Sequence, residues 1–133
     1  MKHRFRFEKL EVWQEARLFN RRAYLLARSF PREEQFALTT QVRRASSSIA
    51  ANIAEGSGRN SGADFARFLE QAYGSLMETV SHFFLALDEG NISEPDFEPV
   101  LEVADALAAR IVALNRSLSA THTKTPFVRQ QTV

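Results

Sequence analysis

Two glutamates, Glu55 and Glu78, carry the clearest chemical potential in the chain, with Asn52 and Ser75 placed to assist them. Carboxylates on facing helices can hold a metal or share acid–base work. Helical bundles with di-metal centres build them from Glu-x-x-His pairs on two helices. Glu78 and His82 stand four residues apart and supply one Glu/His pair. No second pair exists, because the other histidines are His3 and His122. The chain has no cysteine, which removes thiolate ligands and disulfides. Metal or hydrolytic chemistry is therefore the weaker reading. No catalytic, metal-binding or cofactor-binding residue is expected, and no cofactor. The stronger reading is a polar network of Gln41, Ser48, Asn52, Glu55, Ser75 and Glu78 that fixes helix register or subunit packing.

Arginines offer a second chemistry. Residues 1–67 hold 13 Lys/Arg against 7 Asp/Glu, whereas residues 68–133 hold 4 against 9. The net charge of +1 thus hides a basic first half and an acidic second half. Such asymmetry fits either a basic face for nucleic acid or two halves that pack side by side. Arg21, Arg22, Arg28, Arg32, Arg43 and Arg44 could form a basic strip, and the lead-in His3-Arg4-Phe5-Arg6-Phe7 interleaves arginine with aromatics. Arg43, Arg44 and Arg59 are the candidate nucleic-acid contacts. Arg59 sits in Gly56-Ser-Gly-Arg-Asn-Ser-Gly62, a glycine-rich run entering a helix N-terminus, where amides could hold a phosphate. No strand precedes this run and no Lys-Ser/Thr follows it, so a tight helix hairpin is the better reading.

These residues need elements to position them. Val12, Ala16, Phe19, Ala23, Leu26 and Phe30 recur at steps of four and three, a helix seam over residues 10–29 that Pro31 ends or resets. A connector, with room for one short turn, leads into a second helix over 38–59. Its seam is Leu38, Val42, Ala45, Ile49 and Ile53, Thr39 is the expected N-cap, and Gly56 and Gly58 are the expected terminators. Gln41, Arg44, Ser48, Asn52, Glu55 and Arg59 form a polar row bordering that seam. Ser61, with Asp64 three residues on, caps a third helix reaching residue 89 with the seam Phe65, Leu69, Ala72, Leu76, Phe83 and Leu87. Within it, Gly74-Ser75 reads as a place of close approach to the Ala/Ser-rich second helix. Gly90 closes the third helix. Ser93-Glu94-Pro95-Asp96 then opens a fourth, with the seam Phe97, Leu101, Ala104, Ile111, Leu114 and Leu118.

The chemistry is thus carried by an all-α chain, read as an antiparallel up-down-up-down four-helix bundle, since short connections make neighbouring helices antiparallel. With 133 residues, one domain over 1–120 and a polar C-terminal tail over 121–133 are expected. No apolar run approaches membrane-spanning length, and the basic N-terminus lacks the apolar core of a secretory signal, so a cytoplasmic location is expected. The Asn91-Ile-Ser93 and Asn115-Arg-Ser117 triplets match glycosylation sequons and carry no meaning without secretion. Eleven phenylalanines exceed what one small core usually needs. Phe68 and Phe84 fall off the main seam, which fits a subunit interface or a wide core equally.

A family likeness rests on residues already met. It runs through Phe7-x-Lys-Leu-Glu-Val-Trp-Gln14, then Phe30-Pro31 with Glu34, Phe36, Leu38 and Gln41. It continues in Arg43-Arg44-Ala45, Ser48 and Asn52-Ile-Ala-Glu-Gly56, and closes on Phe65, Phe68-Leu69, Ala72, Gly74-Ser75 and Glu78. Over residues 7–118 the chain resembles the bacterial four-helix-bundle family encoded within intervening sequences of 23S ribosomal RNA genes. The resemblance implies a subunit of a ring-like homopentamer. It also implies kinship with accessory variability proteins of diversity-generating retroelements, which bind reverse transcriptase and nucleic acid through a basic surface. From residues and resemblance together, the expectation is a non-enzymatic homo-oligomer that binds RNA, a ribonucleoprotein or another nucleic-acid-processing protein. The alternatives are a protein-interaction scaffold without nucleic acid and, further off, a carboxylate enzyme at Glu55 and Glu78.

Overall fold

The computed structural model describes residues 1–119, and the expected tail over 121–133 lies outside the described residues. Among the described residues the chain forms four α-helices and two 3-10 turns, with no strand. A turn at Arg6–Lys9 precedes α1 (Glu11–Ala27). A second, at Arg32–Glu34, leads to α2 (Ala37–Ser57), followed by α3 (Gly62–Asp88) and α4 (Glu94–Ser119). Each helix packs on two others: α1 on α2 and α4, and α3 on α2 and α4.

The four-and-three spacing of apolar residues decides which faces turn inward. Val12, Ala16, Phe19, Ala23 and Leu26 of α1 are all buried, as are Val42, Ala45, Ile49 and Ile53 of α2. Phe65, Leu69, Ala72, Leu76 and Phe83 of α3 meet Phe97, Ala104, Leu107 and Ile111 of α4 in the same core. Each large apolar side chain buried this way contributes roughly 1.5–3 kcal/mol relative to exposure.

Helix ends follow local chemistry, with some corrections. The α1 helix stops at Ala27, before Pro31 acts on it. The Ser29 hydroxyl donates to the Leu26 carbonyl. The Gln35 amide, reaching back from the connector, donates to the carbonyls of Arg28 and Phe30 at 3.0 and 2.6 Å. Thr39 is not the N-cap of α2. The helix has already begun at Ala37, and the buried Thr39 hydroxyl donates to Gln35 Oε1 at 3.2 Å. Gly58 ends α2 with an ordinary right-handed φ of −86°, and Gly56 lies inside the helix, so neither supplies the left-handed geometry expected of them. Among the described residues only Gly90 has a positive φ, +75°. Its amide donates to the Leu87 carbonyl and that of Asn91 to Ala86, the paired bonds of a left-handed helix closure. Ser61 Oγ accepts from the Asp64 amide at 3.1 Å and Ser93 Oγ from the Asp96 amide at 3.3 Å, so both predicted serine caps form.

The phenylalanine surplus divides. Phe30, Phe83 and Phe97 form a chain of ring contacts inside the core, with centroids 6.1 and 5.7 Å apart. Phe68, off the main seam, belongs to the core and is buried against Gly56. Phe84 and Phe36 do reach solvent, at 47% and 90% exposure. No described helix is long and apolar enough to cross a membrane.

Candidate functional site

The polar row of α2 meets α3 along one seam. Ser48 Oγ donates to Ser75 Oγ at 2.6 Å and also lies 2.9 Å from the carbonyl of Ala45. One turn on, the Asn52 amide donates to the Ser48 carbonyl at 2.8 Å. Gln41 Oε1 accepts from Arg44, whose guanidinium also pairs with Glu78 at 3.0 Å. Ser48 and Ser75 are half-buried, whereas Gln41, Arg44 and Glu78 line the exposed rim.

Glu55 does not join Glu78. It is exposed and pairs with Arg59, four residues on in the turn after α2, at 3.1 Å. Glu78 instead meets Arg44, eleven positions before Glu55 in the sequence. At 1.5 Å per residue, the two carboxylates are separated by about 16 Å along α2. His82 Nε2 lies 3.4 Å from Glu78 Oε2, without the geometry of a hydrogen bond. No group of three or more metal-capable side chains gathers among the described residues. The expected polar network is therefore a Gln41–Arg44–Glu78 rim and a Ser48–Ser75–Asn52 interior, with Glu55 outside both.

The arginine candidates also separate. Arg43 and Arg44 diverge because adjacent helical positions are about 100° apart. Arg43 lies over the Tyr24 ring of α1, 4.6 Å from its centroid, while Arg44 turns to α3. Arg59 lies past the end of α2, in the turn before α3, 4.8 Å from the centroid of Phe68. There it has company that sequence reasoning missed. Arg67 stacks on the same Phe68 ring at 4.9 Å, and Arg6 sits 5.6 Å from the centroid of Phe65. Arg6 also donates to the Ser57 carbonyl at 3.0 Å. The aromatic lead-in is thus packed onto the α2–α3 turn, and Phe7 meets Trp13 edge-on at 4.8 Å. Only contact across 51 residues joins Arg6 to this cluster, and no local spacing signals it.

A family model, 23S rRNA-intervening sequence protein, matches residues 8–113. The chain belongs to that family. Its fold is similar to a crystal structure of a protein of unknown function from the S23 ribosomal protein family of Bacteroides thetaiotaomicron. The TM-score is 0.71 and the identity 23%, covering 77% of this chain and 96% of that one. No curated protein matches.

Other polar contacts of this 23S rRNA-intervening sequence protein bind its remaining helix pairs. Ser46, fully buried, donates to Asn20 of α1 at 2.9 Å. Asn115, the first residue of a sequon triplet, is buried in α4 and donates to the Ala66 carbonyl at 3.0 Å. Arg110 pairs with Glu15 at 3.1 Å and with Glu11. The adjacent Glu15 carboxylate, followed by Glu11, raises the Arg110 pKa above the ordinary guanidinium value. A buried asparagine is the one signal that a scan of helical faces could have flagged, since Asn115 falls on the same face as Ala104, Ala108 and Ile111.

Proposed function

We propose that this member of the family is a non-enzymatic cytoplasmic subunit that assembles as a ring-like homopentamer and binds RNA or a ribonucleoprotein through the arginines of α2 and of the turn that follows it. Its helices run up-down-up-down as an antiparallel bundle. In support, Arg44 meets Glu78, Ser48 meets Ser75, and Gly56 lies against Phe68, so numbers rise on one helix as they fall on the other. The same inversion holds between α3 and α4, where Ala66 meets Asn115 and Phe83 meets Phe97.

The observation that carries the binding reading is the exposure of the Arg44 and Arg59 guanidiniums despite their partners. Arg44 is 65% exposed in its side chain and Arg59 43%. Ion pairs this exposed are worth little in water, so a phosphate can replace Glu78 or Glu55 at small cost, with counterion release favouring the exchange. Arg43 presents its charge over Tyr24, an arrangement that leaves its outer side open to a phosphate or a base. The test is a gel-shift or filter-binding series with structured and single-stranded RNA at increasing salt. Affinity should fall steeply with salt, and Arg43→Ala, Arg44→Ala and Arg59→Ala should each lower the log–log slope by about one unit or less. Binding absent at low salt, or unmoved by salt, overturns the reading.

A protein-interaction scaffold is the second reading, favoured by the exposed apolar side chains of Phe36, Phe84 and Leu85. Loss of partner capture in Phe84→Ser, in a protein that never shifts RNA, would select it.

A further inference from the structure

The face of α1 that turns away from the core has its own order. Arg17, Arg21 and Arg28 are exposed there, opposite the buried Val12, Ala16, Phe19 and Ala23. Leu18 and Leu25, seven residues apart, lie beside them at 45% and 46% exposure. Together they line a shallow surface groove along the helix. Arg21 and Arg28 have no carboxylate partner among the described residues, and Arg17 contacts only the Trp13 ring, at 5.6 Å. The complementary set lies on α4. Glu94, Glu98 and Glu102 are exposed at four-residue steps and form no ion pair with a described residue.

We propose that the α1 face of Arg17, Arg21, Leu18 and Leu25 docks against the Glu94–Glu98–Glu102 face of α4 in a second copy of this chain. The inference rests on the oligomeric, antiparallel reading above and specifies its interface. The step from Arg17 to Arg21 equals that from Glu98 to Glu102, about 6 Å along each axis. Laid antiparallel, Arg17 opposes Glu102 and Arg21 opposes Glu98, and Arg28 then falls about one turn from Glu94, within reach of a long side chain.

The orientation has a consequence for symmetry. Within one chain α1 and α4 point in opposite directions. A neighbour related by rotation about an axis along the helices therefore presents its α4 antiparallel to α1. The two surfaces in contact are different, so the interface is heterologous and each copy keeps one free face of either kind until the rotation closes a ring. The leucines give the contact an apolar part that charge alone does not provide, while the charges set register and partner choice.

Charge reversal on the full-length chain tests this. Wild type, R17E/R21E, E98R/E102R and the four-fold combination are compared by light scattering after size exclusion, with circular dichroism to check helix content. The expected result is an oligomer for wild type, protomers for each two-site variant, and the wild-type mass regained when the four substitutions are combined in one chain. Regained mass equal to wild type, with wild-type helix content, separates rescue from aggregation of misfolded protein. If wild type is oligomeric and both variants keep its mass, this interface is wrong and the oligomeric reading stands. A wild type that stays a protomer at every concentration removes both.

Discussion

The α2–α3 and α1–α4 seams hold the same kind of helix pair by opposite means. Between α2 and α3 the contact is built from small groups. Ser48 meets Ser75, and Gly56 leaves its Cα facing the Phe65 and Phe68 rings. Between α1 and α4 the named polar contact is Arg110 with Glu11 and Glu15, at a rim where Arg110 and Glu11 are 42% and 79% exposed in their side chains. A seam of small residues brings backbones close and has little freedom to adjust, because interiors are packed to crystal density. A seam edged by long charged chains can slide and rehydrate. The first should therefore be sensitive to single atoms, and the second to salt.

The largest effect is expected at Gly56. A Cβ there would stand 2.6 Å from Phe68 Cβ and 2.9 Å from Phe65 Cδ1. The nearer atom is anchored to the α3 backbone, so the helices themselves must part. Overpacking of this kind costs about 1–3 kcal/mol, and the better helix propensity of alanine, about 1 kcal/mol, offsets part of it. Gly56→Ala should lose up to about 2 kcal/mol in urea unfolding. An unchanged midpoint would mean that the seam is looser than its geometry.

Gly74 sharpens the contrast, because the sequence suggests the same role for it. It lies in α3 beside Ser75, yet it is exposed and a Cβ would meet nothing within 4 Å. Gly74→Ala should therefore stabilise the protein by up to about 1 kcal/mol through helix propensity alone. A loss in the isolated protomer would show that α3 is packed more closely at Gly74 than this geometry has it. If the loss appears only as a weakened oligomer, Gly74 faces a neighbouring copy.

The two glycines show where sequence reading stops. Helix spacing places Gly56 and Gly74 on α2 and α3 equally well, and both flank residues of the family pattern. Which one faces the partner helix depends on the rotation of α2 against α3, a property of all their side chains together. The seams themselves were legible, since four-and-three spacing identifies Val42, Ile49 and Ile53 or Leu69, Leu76 and Phe83 without help. Both serine caps and Gly90 were legible too, because they depend on three or four neighbouring residues. Thr39 was misread because a threonine near a helix start satisfies the cap pattern whether or not the helix began earlier. The site was less legible than the fold. Ser48 and Ser75 were placed in one polar network and do meet, while Glu55 and Glu78 were paired although Glu78 meets Arg44 and Glu55 meets Arg59. Arg6, Arg67 and Phe68 meet only through the tertiary fold.

Ser48 and Ser75 measure the polar part of the tight seam. Their hydroxyls are 2.6 Å apart and half-buried. A double-mutant cycle with Ser48→Ala and Ser75→Ala should return a coupling of about 0.5–1 kcal/mol. The double variant should be less damaged than the sum, because removing both partners leaves no unpaired hydroxyl in the seam. Additive losses would mean that each serine acts through its own helix, as Ser48 does with the Ala45 carbonyl.

The smallest effect belongs to the other seam. Arg110→Met keeps the apolar stem of the side chain and removes its charge, so the loss should stay below about 1 kcal/mol. Its signature is dependence on conditions. At about 1 M salt the Debye length falls to roughly 3 Å and most of the difference from wild type should vanish, whereas the Gly56→Ala difference should not. The pH dependence has a fixed sign. Because Glu15 and Glu11 raise the Arg110 pKa in the folded state, the folded chain holds that proton more tightly than the unfolded one. The contribution is present throughout the neutral range and is lost only as pH rises through the raised folded value. A wild-type advantage over Arg110→Met that shrinks between neutral pH and the ordinary Lys range would therefore contradict this pairing. Persistence of the advantage in high salt would show that Arg110 acts through its stem on α1 rather than through its charge.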